Sequence, residues 1–337
     1  VLLLATFLTV HFGEWRESWH GTNGLARSGE SAFHAIRREN EGVLAALDPQ
    51  TGEFLWTLTL DTPTGFALTD DYIYVNSMYG NRITILTPDC VALDVMARWF
   101  MNDLHSLAVT DRGLIMTCSG LDGIVEVDLS GQVVWDWFAI ERGYASHLRR
   151  SQRRVRRDRD YRRSMIPTQQ QVTHCNSAVV GEHQGSDAVI ATLFHQGEVI
   201  VIDRKMGRAT VVLSGMANPH SLRRTETGWL VCDSRSNSII RTDENFWIAA
   251  SYEGDFDWVQ DAIIHEDRLL VADANHSRMV WLDAGHGQMV GEIRYSEQWK
   301  IYQVEAVGGL WEKRLRKVEI PSSRGRGEIR NGGSETA

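Results

Sequence analysis

The feature that most constrains this chain is an internal repeat with a period of about 40 residues. Short apolar runs that read as the first strand of a unit begin near Asn23, Thr64, His105, Asn176, His220, Gln260 and Val304. The spacing holds except between the third and fourth starts, where an insertion intervenes. Each first run leads through a turn to a second, as in GLIMTCS, DAVIATLF, GWLVCDS and RLLVADA. A polar turn follows (GLDG, HQGE, RSNS, NHSR), then a third run closing near Asp: IVEVDL, VIVIDR, IIRTD, MVWLD. Fourth runs are fainter, with GQVVWDWF, GRATVVLS and GQMVGEIRY the clearest. Alternation at period two marks half-buried strands, and Gly, Asn, Ser and Asp suit the turns. Four strands per unit at this period predict an all-β fold, a single β-propeller over residues 1–320. Seven starts give seven blades, with six the alternative. The N-terminal run Leu2 to Val10 is expected to pair with the last blade and close the ring, which removes a sheet edge.

At 337 residues the chain can bury a large core without covalent staples. None of its four cysteines forms a CxxC pair, and Cys118 and Cys232 fall at similar places in two repeats, as buried small residues would. A net charge of -9 argues against a nucleic-acid binder. The segment VLLLATFLTV is too short to span a bilayer and has no basic flank or small-residue cleavage site. Without a visible signal peptide, a soluble cytoplasmic protein is favoured. No Walker loop, GxGxxG, GxSxG or EF-hand pattern occurs, so no nucleotide cofactor is expected.

Two segments break the repeat. Residues 141–173 form an insertion with ten arginines between Arg142 and Arg163. It reads as a solvated surface excursion, as a lid that draws in an anionic small molecule, or as a surface for a protein partner. The tail, 321–337, is Gly/Ser/Arg-rich and almost free of apolar residues, so disorder is expected there.

The chemistry-bearing residues are histidines. His105 (HSLA) and His220 (PHSL) open their runs in the same register, and His174 (HCNSA) lies two residues before the aligned Asn176. First strands of propeller blades line the central channel, so these imidazoles are expected to converge on the axis. Three such groups suit a divalent metal such as iron, manganese or zinc, with Asp261 or Glu305 as a carboxylate ligand or an acceptor for an imidazole N–H. Metal-free catalysis and structural filling of the channel remain as alternatives. His195 and His276, in the turns after the second run, read as solvated side chains or as residues bordering the expected channel mouth. Arg235, in the turn after the His220 unit, offers a bidentate contact to an anion or a solvated side chain.

The stretch from GQVVWDWF through THCNSAVV to NPHSLRRTETGWLVCDSRSN, about residues 131–237, resembles the arylsulfotransferase-like β-propeller family. The order HSLA, HCNSA, PHSL also resembles bacterial propeller proteins of uncharacterised function. The arylsulfotransferase resemblance implies sulfuryl transfer between phenols through a histidine. His174 and His220 would bind or polarise the sulfuryl group, and Arg235 would neutralise its oxygens. It leaves His105 without a role and shows no clear counterpart of the family's nucleophilic histidine, His276 being a loose candidate. The leading expectation is therefore an enzyme acting at an axial histidine cluster through a bound metal. Sulfuryl transfer and a non-catalytic interaction scaffold are the alternatives.

Overall fold

Runs that are apolar at most positions become strands buried on both faces, and those that alternate become strands with one wet face. Gly228–Asp233 (GWLVCD) and Gly113–Cys118 (GLIMTC) are buried throughout. Each is the second strand of a blade and is covered by neighbouring blades on either side. The outermost strands lack that cover, and in Ala92–Met96 only the last residue is buried. The computed structural model describes residues 1–13, 41–144, 154–164 and 166–320. Within these, six four-stranded antiparallel sheets form the blades of a propeller.

Blade 1 is built from both ends of the described chain. Its inner strand is Lys300–Val307, followed outward by Leu2–Thr9, Glu41–Leu47 and Phe54–Asp61. Blades 2 to 6 run outward in chain order from the inner strands Pro63–Leu68, Leu104–Thr110, Cys175–His183, Pro219–Thr225 and Val259–His265. Leu2–Thr9 is buried at all eight positions and pairs with Glu41–Leu47 on one side and Lys300–Val307 on the other. The expected closure by the N-terminal strand is therefore observed.

The preference for seven blades is corrected to six. The N-terminal and C-terminal partial repeats fuse into one blade, whose inner strand comes from the chain end. Counting a start at the N-terminus as well as one near Val304 counts that blade twice. The expected start near Asn23 lies outside the described residues, as does the tail 321–337.

The cores lie between blades. Tyr74 and Ile83 of blade 2 meet Leu114, Met116 and Val125 of blade 3, and Trp137 of blade 3 meets Val189 and Ile200 of blade 4. Each such buried aliphatic side chain contributes about 1.5–3 kcal/mol. Polar bonds fix the seams: the indoles of Trp135 and Trp137 in blade 3 donate to the carbonyls of Arg204 and Gly207 in blade 4. All four cysteines are buried free thiols. A short helix, Gly309–Leu315, returns over blades 1 and 2, where Trp56 donates to the Leu315 carbonyl and Trp311 to that of Thr69.

Candidate functional site

A repeated backbone device sets the side chains at the entrance of the channel. The residue just before the inner strand is left-handed in blades 2 to 6: Thr62 (φ 41°), Asp103 (54°), His174 (49°), Asn218 (67°) and Trp258 (67°). Its carbonyl accepts a hydrogen bond from the amide of the residue just after the second strand, Ser119 to Asp103, Phe194 to His174, Ser234 to Asn218 and Ala274 to Trp258. Its amide is often held by a left-handed Asn or Asp in the turn of the preceding blade. Asn81 Oδ1 accepts from Asp103 N, Asp122 Oδ1 from His174 N and Asn237 Oδ1 from Trp258 N. Asp122 also accepts from the amides of Val172 and Thr173, which fixes the chain as it enters blade 4.

Each inner strand then carries a register irregularity in its first turn of pairing: Pro63/Phe66, Leu104/Leu107, Cys175/Ala178, Pro219/Leu222 and Val259/Asp261. A bulge re-aims the side chains beside it. Here it turns His105, Asn176, His220 and Gln260 toward a channel cavity of about 850 Å³ that all four line.

His105 and His174 meet edge to face with ring centroids 4.7 Å apart. Beside them lies Asp103, whose Oδ1 is 3.3 Å from His105 Nε2. Ligand atoms of Asp103, His105 and His174 all lie within 4.8 Å of one another, which makes them a candidate metal group. Each imidazole is anchored through Nδ1: His105 to the Tyr302 hydroxyl, His174 to Gln171 Oε1 at 2.5 Å. Gln171 also donates through Nε2 to Asp103 Oδ2 at 2.9 Å, tying the carboxylate to the same frame. Burial, and then the neighbouring His105, His195 and His220, push the His174 imidazole well below its ordinary pKa, so it is neutral.

His220 lies across the Phe194 ring from His174, with centroids 4.9 and 5.0 Å from Phe194 to the two imidazoles. Trp258 covers its other side at 5.1 Å. Ser234 Oγ donates to the Val259 carbonyl and so accepts from His220 Nδ1 at 2.8 Å. That assignment puts the proton on Nδ1 and leaves the Nε2 lone pair free. Burial lowers the His220 pKa to about 3.

His105 and His174 are thus in ring contact, with His220 beyond Phe194, while Asp261 and Glu305 lie elsewhere. Asp261 is buried against Arg223, Ser221 Oγ and the Val304 amide, and Glu305 accepts from Arg223 at 2.7 Å. Arg223 lies between two carboxylates, which raise its pKa against the opposing effect of burial, so one guanidinium is shared by two acids further along the channel. The carboxylate beside the imidazoles is Asp103, which the sequence reading missed. Its signal was present: Asp103 stands two residues before His105, as His174 stands two before Asn176. Arg235 is exposed and outside the residues that line the cavity. His195 borders the entrance, 5.9 Å from His174 by ring centroid, with Nε2 against the Thr168 carbonyl. His276 is bound to Asp273.

The described part of the insertion covers this end. Asn102 donates to the carbonyls of Tyr161 and Ser164, Asn81 to that of Arg162, and Gln196 to that of Val172. Several of its arginines are already paired: Arg156 with Asp158, Arg157 with Asp136 and Glu141, Arg162 with Asp160. Residues 145–153 lie outside the described part.

No protein-family model matches the chain. No curated protein matches it. Similarity appears among solved structures. One is a protein of unknown function from Bacteroides caccae, with 14% identity over 78% of this chain and 93% of that one, at a TM-score of 0.57. Another is a chain of the nidogen/laminin complex, with 11% identity over 90% of this chain and 97% of that one, at a TM-score of 0.59. At such identities the likeness is one of fold. No helix among the described residues is long and apolar enough to cross a membrane.

Proposed function

We propose that this propeller binds a divalent transition metal through Asp103, His105 and His174, and that the metal acts on a small molecule admitted along the axial channel. The observation that carries this reading is the pairing of one carboxylate with two imidazoles that are both anchored through Nδ1. Such anchoring fixes ring orientation and leaves Nε2 for a cation. Two histidines and one carboxylate are a donor set suited to iron, manganese or zinc, with positions left for substrate. His105 Nε2 and Asp103 Oδ1, 3.3 Å apart, would hold such a cation together with His174. When bound, the metal would supply Lewis acidity beside the channel that His105 lines. Tyr302 and Gln171 orient the ligands, while Phe194 and Trp258 keep the surroundings apolar.

The test is elemental analysis of untagged protein after reconstitution with ferrous, manganous and zinc salts. Near-stoichiometric metal is expected in the wild type, with a drop of at least tenfold in His105→Ala/His174→Ala that still folds. Equal metal in both, or none in the wild type, overturns the reading.

A metal-free reading draws on His220, whose Nδ1 is held by Ser234 and Asn218 and whose neutral ring borders the cavity. An oriented imidazole of this kind is equipped to act as a base or nucleophile, as arylsulfotransferase-like transfer requires. That reading predicts activity toward phenolic sulfates that survives chelation and is lost in His220→Ala. The exposed position of Arg235 weighs against it.

A further inference from the structure

Asn176 occupies in blade 4 the register that His105 and His220 occupy in blades 3 and 5. It is 4% exposed and lines the cavity with them. Both of its carboxamide atoms, Oδ1 and Nδ2, are buried without a hydrogen-bond partner, and among the described residues no other side chain has both polar atoms in that state. A buried amide left unpaired at both ends is costly, so it points to a group that completes it. The polar groups around it are otherwise engaged. Ser106 accepts from the Ala178 amide, Ser177 from the Leu222 amide, Gln260 Oε1 from the Trp258 indole, and Gln303 spans both the amide and the carbonyl of Phe66.

We infer that the channel holds a small ligand bearing an amide edge, a primary carboxamide or a lactam, paired in two hydrogen bonds with Asn176. This rests on the reading of the channel as a ligand site and adds the chemical class of the ligand. A carboxamide presents one donor and one acceptor side by side, and a second amide edge meets both at once. A carboxylate, sulfate or phosphate offers acceptors only and sets oxygen against Asn176 Oδ1. A ketone leaves that oxygen unpaired. The charges further along the channel point the same way. Glu226, Glu266, Asp267, Asp283 and Glu305 border it against Arg223, Arg224 and Arg241. Of those guanidinium groups, Arg223 is consumed by Asp261 and Glu305, and Arg224 pairs with Glu244. The approach therefore favours neutral or cationic molecules over anions.

Benzamide, acetophenone and benzoate are near-isosteric probes that separate these possibilities. Their dissociation constants are to be measured by ligand-observed saturation-transfer NMR on the full chain, both metal-free and reconstituted. Benzamide is expected to bind at least tenfold more tightly than either control. Asn176→Leu should abolish the preference, and Asn176→Asp, an acceptor only, should move it to benzamidine. Equal binding of the three probes by the wild type overturns the inference, whether or not the variants fold; so does a preference that survives in Asn176→Leu. Metal content on the same samples keeps the two readings apart. A benzamide preference in protein that takes up no metal sinks the metal centre and leaves this inference standing. Metal uptake without the preference does the reverse.

Discussion

At the scale of single residues, the site is defined by two positions in each repeat: the left-handed residue before the inner strand and the second residue within it. The sequence shows the second position plainly, because HSLA and PHSL align without gaps. The first is harder to read. His174 was visible only because imidazole draws attention, whereas Asp103 is one acidic residue among many until the left-handed backbone is known. Asp261 and Glu305 are carboxylates that the inner-strand register offers, and they serve Arg223 instead, the fourth residue after Pro219, whose reach across blades no spacing reveals. The buried imidazoles carry a testable consequence. Burial holds the folded-state pKa of His220 near 3, below its ordinary value of 6.5. The unfolded chain takes up a proton below pH 6.5 that the folded chain refuses until about pH 3. The stabilising effect of keeping His220 neutral is thus whole above pH 6.5 and is lost, at about 1.4 kcal/mol per pH unit, as pH falls from there. His174 shifts in the same direction and adds to the slope. Urea denaturation of His220→Gln across pH 4 to 7.5 should show a shallower acid limb than the wild type, and superimposable limbs would refute this account.

At the scale of elements, the insertion between blades 3 and 4 is tied down by particular side chains rather than resting loosely above the channel. A run of arginines reads in a sequence as solvated charge, which is accurate for Arg156 and Arg162, paired with acids two residues away. The reading could not show Asn102, in a bland linker before Asp103, which is buried and gives both protons of its amide to the carbonyls of Tyr161 and Ser164. Asn102→Ala therefore leaves one buried and one part-buried carbonyl unserved, at a cost of about 1–3 kcal/mol, and frees the cover while the blades persist. The measurement is limited trypsin digestion under native conditions. Cleavage between Arg154 and Arg163 should accelerate several-fold in the variant, with the remainder resistant. Unchanged cleavage would mean that the cover is held by contacts other than these.

At the scale of the whole molecule, the repeat period named the fold, but the number of blades depended on how the ends join, which is a long-range property. Leu2–Thr9 carries no repeat signature of its own. It is an apolar run that fits wherever two strands leave a gap, and only its pairing with Lys300–Val307 turns seven apparent starts into six blades. That joint makes the stability of the ring a collective matter. Blade 1 cannot form until the chain's ends meet, and an open ring exposes strand edges as well as the apolar faces that blades 2 and 6 present to it. Leu4 lies at this joint, fully buried among Leu44, Phe66 and Val307. A charge there has no partner, so Leu4→Asp should cost more than about 4 kcal/mol and lower the unfolding midpoint of every blade together. Hydrogen exchange separates this from local fraying. In the wild type, amides of Leu2–Thr9 and Lys300–Val307 should belong to the slowest class, alongside the second strands of blades 3 to 5. In Leu4→Asp all of these should accelerate by a common factor. If instead blade 1 exchanges early while blades 3 to 5 keep their protection, the closing strand is an appendage and the ring stands without it.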